Sequence, residues 1–287
     1  MNPDSSWLTA QDGTRLYCRE WTHTAAARGA VHLVHGLGEH GGRYLELAGL
    51  LHELGLAVRI VDHRGHGQSD GVRGSLRRPD DFLQDLKLSF DDFAACQQQT
   101  PFLFGHSMGG LIAARFASGG FSPVRGLMLS SPALALTLNV WQKSLLALSS
   151  VLAPRLALPS SLPPDRLSHD AAVVAAYRSD PLNHGRIAPR TLNFMLDAMA
   201  RTQADAGAFR TPLLLQVAGD DAFVAAEGSR RFFDALPSGH KCLHWYPQAW
   251  HEIFNEEASI RQQVQRDLKQ WLRLQLEPDI NADQAGL

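Results

Sequence analysis

A serine hydroxyl becomes a useful nucleophile only when a base takes its proton and nearby donors stabilise the charge that its attack creates. Gly105-His106-Ser107-Met108-Gly109 sets one serine in a G-x-S-x-G pattern. The apolar run Pro101 to Phe104 before it reads as a strand and Leu111 to Ala117 after it as a helix, the context that the pattern requires. A strand turning this sharply into a helix strains the serine backbone and leaves room only for glycine beside it. The turn exposes Oγ, while the helix N-terminus aims amides and positive dipole at developing negative charge. Ser107 is the candidate nucleophile.

Histidine suits the base at neutral pH, and a carboxylate must fix its tautomer and stabilise the imidazolium. On a fold carrying this elbow the chain order is serine, acid, histidine. Of the thirteen histidines most lie upstream of Ser107, His169 and His184 fall in a strandless stretch, and His240 and His244 flank or enter a strand pattern. His251 follows the apolar run Leu243 to Tyr246 and the loop Pro247-Gln248-Ala249-Trp250, just before the last helical pattern. It is the candidate base. For the acid, the strand Leu213 to Val217 exits through Ala218-Gly219-Asp220-Asp221, and either aspartate could face the site. The run Asp221-Ala222-Phe223-Val224 favours Asp221, with Asp220 then a turn or capping residue. A second early strand, Ala30 to Val34, runs into His35-Gly36-Leu37-Gly38. Its glycines permit a tight turn, so the backbone N–H groups of Leu37 and Met108 are the candidate oxyanion donors. His63 and His66 lack a third ligand at useful spacing, and neither metal nor cofactor is expected.

The elements that must position these residues alternate. Arg15 to Trp21 alternates polar and apolar residues, as a half-exposed strand would, and Ala57 to Val61 and Val124 to Leu129 add short apolar runs suited to inner strands. Phe82, Leu86, Phe90 and Phe93 recur at helical spacing after Pro79-Asp80, and Glu227 to Leu236 and Ile260 to Leu276 read as further helices. Such alternation implies βαβ units, hence an α/β fold with a mostly parallel central sheet flanked by helices. The rhythm fails between about Ala133 and Arg210, where Pro-rich breaks and helical patterns replace strands. The expected organisation is a core of residues 1–132 and 211–287 with a helical cap, 133–210, inserted over one end of the sheet. The polar tail Pro278 to Leu287 is expected to be loose.

Val140 and Trp141 with Leu145, Leu146, Leu148 and Leu152 make the insertion unusually apolar, and Phe194, Met195, Ala198 and Met199 add a second stretch. Packing onto the main domain explains any one of these residues. As a set, Trp141, Leu145, Met195 and Met199 are candidates for lining an acyl-chain site, and Trp141 to Leu152 for transient contact with a membrane or micelle.

Composition removes other classes. The 287 residues are 45% hydrophobic and 20% charged with a net charge of −2, so no basic field argues for nucleic acid. Cys18, Cys96 and Cys242 are too few and scattered for a disulfide framework, and reduced, buried thiols are expected. No cationic segment followed by an apolar one opens the chain, and the apolar stretch Leu145 to Leu158 is too interrupted to span a bilayer. A soluble, cytoplasmic protein is expected. The sequence gives no signal for oligomeric state.

Four stretches together resemble the monoacylglycerol lipase and lysophospholipase family of α/β-hydrolases. His35-Gly36-Leu37-Gly38-Glu39-His40 with Arg43-Tyr44 is similar to its HGxGEHxxRY segment, and Asp62 to Ser69 to its D-x-x-G-H-G-x-S loop. Gly105 to Gly110 resembles its GHSMGG elbow, and Tyr246 to Glu252 its final histidine loop. The first of these is the narrowest. The resemblance implies metal-free hydrolysis of a single ester bond in a glycerol monoester or similar small lipid, with an apolar cap over an acyl tunnel. It also implies that Asp221 is the acid and that the Asp62 to Ser69 loop is structural. Trp250 stands where the resemblance leads one to expect a smaller residue. On the same triad a short-chain carboxylesterase, lysophospholipase, peptidase or acyltransferase remains the alternative, and a non-catalytic binding protein is the less favoured one.

Overall fold

A computed structural model describes residues 2–23, 26–160 and 162–277; the tail Pro278 to Leu287 lies outside the described residues. Strands β1 (Asp4–Thr9), β2 (Arg15–Trp21), β3 (Gly29–Val34) and β4 (Leu56–Val61) come first, then β5 (Phe102–His106) and β6 (Leu127–Ser130). After a helical excursion containing the two-residue strands β7 (Leu158–Pro159) and β8 (Arg186–Ile187), β9 (Leu213–Ala218) and β10 (Lys241–Tyr246) complete the set. One sheet runs β1-β2-β4-β3-β5-β6-β9-β10. The β1–β2 and β2–β4 pairs are antiparallel and the rest parallel.

The inner strands are buried along their whole length, which is why they read as apolar runs rather than alternations. Their side chains still divide between two faces. Phe102, Phe104 and Leu214 meet Leu47 and Leu51 of helix α1 (Leu45–Glu53) and Leu268, Trp271 and Leu272 of the C-terminal helix Ala258–Leu276. Leu103, Leu213 and Leu215 face the other way, toward the Phe82–Phe90 stripe of α2 (Asp81–Gln97) and toward α3 (Met108–Ser118).

Between β6 and β9 the chain runs through α4 (Val140–Leu152), α5 (Ala171–Ser179) and α6 (Pro189–Asp205). Phe194, Met195, Ala198 and Met199 of α6 join the main core beside α3. No residue of α4 is buried. This segment was expected to hold no strand; it holds the β7–β8 ladder, too short to leave a periodic pattern. The strand β1 was likewise not expected. It is exposed nearly throughout, so no core face imposes alternation on it, and pairing with β2 from Asp4–Glu20 to Thr9–Arg15 defines it instead. The expectation of three buried thiols holds only for Cys18; Cys96, at the last turn of α2, is exposed and Cys242 half-buried. Helix α7 (Ala226–Ala235) and α8 (Ala258–Leu276) complete the order. Among the described residues no helix is long and apolar enough to cross a membrane.

Candidate active site

Ser107 links β5 to α3 with φ 55° and ψ −121°, a left-handed conformation that a non-glycine residue adopts only under constraint. The flanking glycines show the constraint. A Cβ on Gly105 would strike the Gly109 carbonyl oxygen, and one on Gly109 the carbonyls of Val34 and His35. The elbow is thereby pressed against the end of β3.

His251 Nε2 lies 2.8 Å from Ser107 Oγ, and its Nδ1 lies 2.7 Å from Asp221 Oδ2. The other oxygen of Asp221 accepts from the amides of Phe223 (2.8 Å) and Val224 (3.1 Å), which fixes the carboxylate's orientation. The side chains of His251 and Asp221 are 3% and 1% exposed. Burial pulls the His251 imidazole down, but the Asp221 carboxylate beside Nδ1 outweighs it and the net direction is up. Burial likewise pushes Asp221 up, and the facing imidazole with the three hydrogen bonds brings it below the usual range. Asp220, 59% exposed, points away and accepts from Arg166 and from the Trp250 indole N–H. The structure therefore puts Asp221, rather than Asp220, beside the histidine.

The Gly36–Leu37 loop packs on the elbow so closely that a Cβ on Gly36 would sit 3.3 Å from Ser107 Cβ. Leu37 and Met108 both border the space in front of Ser107, and Met108 opens α3, where first-turn amides have no helical acceptor. Gly38 has φ +76° and lies against the His184 carbonyl, whose partner amide interaction, His184 N–H to Gly38 O, is 2.8 Å. His40 Nε2 adds a side-chain contact to Asp180 at 2.9 Å beside it.

Residues that the sequence reading left without a role also converge here. Phe223 stacks on the His251 ring at 4.7 Å and 11°, and the His106 ring lies 4.8 Å away. Burial, then the neighbouring His251, pulls His106 down to about 4, so it stays neutral near pH 7. Glu39 accepts from Gly36 N–H (2.5 Å), Tyr44 OH (2.6 Å) and Arg43 (2.8 Å), and Arg43 makes a bidentate pair with Glu252 at 2.5 and 2.7 Å. This buried bridge joins the Gly36–Leu37 loop to the residue following His251. Glu39, Arg43, Tyr44 and Glu252 all lay inside the motifs that carried the resemblance, which was the available signal.

Two chambers meet at Ser107 and Leu37. One, of about 560 Å³, is walled by Leu136, Leu138, Leu145, Leu146, Leu192 and Met195. The other, of about 380 Å³, mixes the apolar side chains of Leu162, Leu167 and Phe223 with Glu39, Tyr177, Asp180 and Glu252. Leu145 and Met195 are thus at the apolar wall. Trp141 and Met199 are not: Trp141 is 85% exposed at the start of α4, and Met199 is buried against α3 one turn beyond Met195. Among the described residues no cluster of three or more His, Cys, Asp or Glu could hold a metal ion.

A family model described as serine aminopeptidase, S33 matches residues 25–258. A monoacylglycerol lipase of Mycolicibacterium smegmatis is 34% identical over 265 residues, 91% of this chain and 93% of that protein. An uncharacterized abhydrolase domain-containing protein of Dictyostelium discoideum is 31% identical over 283 residues, 96% of this chain, which spans only 30% of that protein's length. The crystal structure of the Paleococcus ferrophilus monoacylglycerol lipase is similar with a TM-score of 0.82 at 34% identity, covering 91% of this chain and 99% of that one.

Proposed function

We propose, from a chain that belongs to the serine aminopeptidase S33 family of α/β-hydrolases, that it hydrolyses the carboxylic ester of monoacylglycerols or similar single-chain lipids. The observation that carries this reading is the meeting at Ser107 of a larger chamber walled by aliphatic side chains and a smaller one where apolar side chains mix with Glu39, Tyr177, Asp180 and Glu252. An ester with one hydrocarbon arm and one hydroxylated arm fits that division. The lipase relatives support it. A peptidase acting at a free N-terminus would need an uncommitted carboxylate for the ammonium group. The acids bordering the smaller chamber are already engaged, Glu39 and Glu252 with Arg43 and Asp180 with His40.

In this mechanism His251 Nε2 takes the Ser107 proton as Oγ attacks the ester carbonyl. Asp221 holds the imidazole in the Nδ1–H tautomer and stabilises the imidazolium. The amides of Leu37 and Met108 hold the oxyanion. Collapse of the tetrahedral intermediate expels the alcohol, which leaves with the proton from His251 into the smaller chamber. Water, deprotonated by His251, then attacks the acyl-serine and frees the fatty acid. The exposed apolar residues of α4, Val140, Trp141, Val151 and Leu152, belong to the same reading as a transient contact with micelles or membrane surfaces. The three free thiols suit the reducing cytoplasm.

A fluorophosphonate probe is expected to label the wild-type chain and to fail with Ser107→Ala and His251→Ala. Monoacylglycerols of increasing acyl length, beside a lysophospholipid and a triacylglycerol, then define the substrate class. An unlabelled wild type refutes the hydrolase reading, and preference for short soluble esters over every monoacylglycerol refutes the lipid one.

A further inference from the structure

The backbone on both sides of His251 is tied to the cap. The Glu252 amide donates to the Leu167 carbonyl at 2.9 Å. The Trp250 amide donates to Glu256 Oε1 at 2.6 Å, and the same fully buried carboxylate accepts from the His169 amide at 3.1 Å and meets His169 Nδ1 at 2.9 Å. Ser168 Oγ adds a bond to the Asn255 carbonyl at 2.8 Å. Between these lies Trp250. Its ring stacks on His169 at 3.8 Å and 27°, the Arg166 guanidinium lies over it at 4.6 Å, and its Nε1–H donates to Asp220 at 3.0 Å. Asp220 in turn pairs with Arg166 at 3.1 Å. The segment Arg166–His169 thus touches the base loop through main chain, a buried carboxylate and an aromatic stack at once.

We propose that Trp250 is a positioning residue through which the cap segment Arg166–His169 holds His251 in register with Ser107, so that cap docking and a competent base are one event. A cap that only housed the acyl chain would have no reason to grip the loop of the general base, and none of these contacts faces the chambers' apolar wall. The latch therefore acts on every ester, including those too small to reach the cap. An aromatic residue is needed at position 250 because only a flat ring can meet an imidazole and a guanidinium while exposing an N–H to Asp220.

This rests on the hydrolase reading, and its test separates the two. Trp250→Ala on the loop side and the double change Arg166→Ala/His169→Ala on the cap side are compared with Trp250→Phe. A misplaced base costs rate rather than binding, so kcat on a short soluble ester falls about tenfold in both truncations, with KM little changed. Fluorophosphonate labelling slows by the same factor. Combining the truncations adds little, because both cut the same contact. Trp250→Phe, which keeps the stack, recovers most of the rate. Hydrogen exchange of the Trp250 and Glu252 amides quickens in the truncations, while thermal unfolding of the whole chain stays cooperative. Unchanged kcat, labelling and exchange with only long-chain KM affected overturn the latch and leave the hydrolase standing. A wild type inert to ester and probe sinks the hydrolase reading instead, and unchanged exchange in the truncations then overturns the latch independently.

Discussion

Moving the protein from pH 7 to pH 5 is expected to remove most of its stability, because its core holds histidines that fold only as neutral rings. His32, His35, His63, His66 and His106 are all buried. Burial, the first cause in each case, pulls His32 and His35 down to about 3 and His106 to about 4, and places His63 and His66 well below the ordinary value of 6.5. A proton on any one of His35, His63 and His66 would also oppose a second, since the three rings sit 4.2 to 5.9 Å from one another. The unfolded chain protonates these rings below 6.5 and the folded one does not. Stability from this source is therefore complete above 6.5 and is lost as pH falls toward the folded values. At pH 5 His32, His35 and His106 each cost about 2 kcal/mol, about 6 kcal/mol for the three, and His63 and His66 act in the same direction, against a typical total of about 5–15 kcal/mol. Urea unfolding followed by circular dichroism at a series of pH values gives the slope directly. Near pH 5.5 unfolding takes up about three protons at His32, His35 and His106, with His63 and His66 adding to the uptake, and calorimetry in buffers of different ionisation enthalpy counts them. Uptake of one proton or none, or stability at pH 5 within a few kcal/mol of that at pH 7, refutes the claim that these rings are buried neutral.

Three further outcomes concern the site and α4. Asp221→Asn keeps an acceptor for the Phe223 and Val224 amides but releases the His251 tautomer, so kcat falls about 10³- to 10⁴-fold, whereas Asp220→Asn, outside the hydrogen bonds to His251, costs far less. In the wild type kcat/KM rises through a pKa above the ordinary histidine value, as the raised His251 requires, and a limb at or below that value contradicts the Asp221 pairing. Leu145→Ser with Leu148→Ser, two residues 62% and 59% exposed on α4, lowers turnover of dispersed long-chain substrate and spares soluble short esters; equal loss on both tells against a lipid-facing α4.

How much of this was legible depends on where the information sits. The inner strands and the Ser107 elbow were, because burial on both faces and a steric need for glycine each write a short local pattern. Asp221 was separable from Asp220 only weakly, since the difference is one of direction: one carboxylate turns in toward two amides and His251, the other out toward Arg166. Trp141 and Met199 show the converse. Both lie in apolar stretches, but helix position sends one to solvent and the other into the core while Leu145 and Met195 reach the chamber wall. Apolar character alone does not say which side of a helix faces a cavity. The contacts of Glu39, Arg43 and Glu252 span more than two hundred residues of chain, and no local periodicity records them.

The grouping of these residues follows from sheet direction. Leu37 leaves β3, Ser107 leaves β5, Asp221 follows β9 and His251 follows β10, and all four strands are parallel members of one sheet. Their carboxyl ends open on one edge, where α/β sheets present their sites; the insertion leaves β6 at that edge too. Charge at the edge is arranged in one sense. His106 remains neutral 4.8 Å from the base, so the imidazolium formed in turnover meets no second cation on a neighbouring ring. Asp221 bonds it directly, and Glu252 and Glu39 favour it from farther off. Arg43 is shared between two carboxylates and cannot cancel both. In the proposed mechanism the surplus is negative around the base and the donors beside Ser107 are amides, so each charge of the tetrahedral step would meet its opposite.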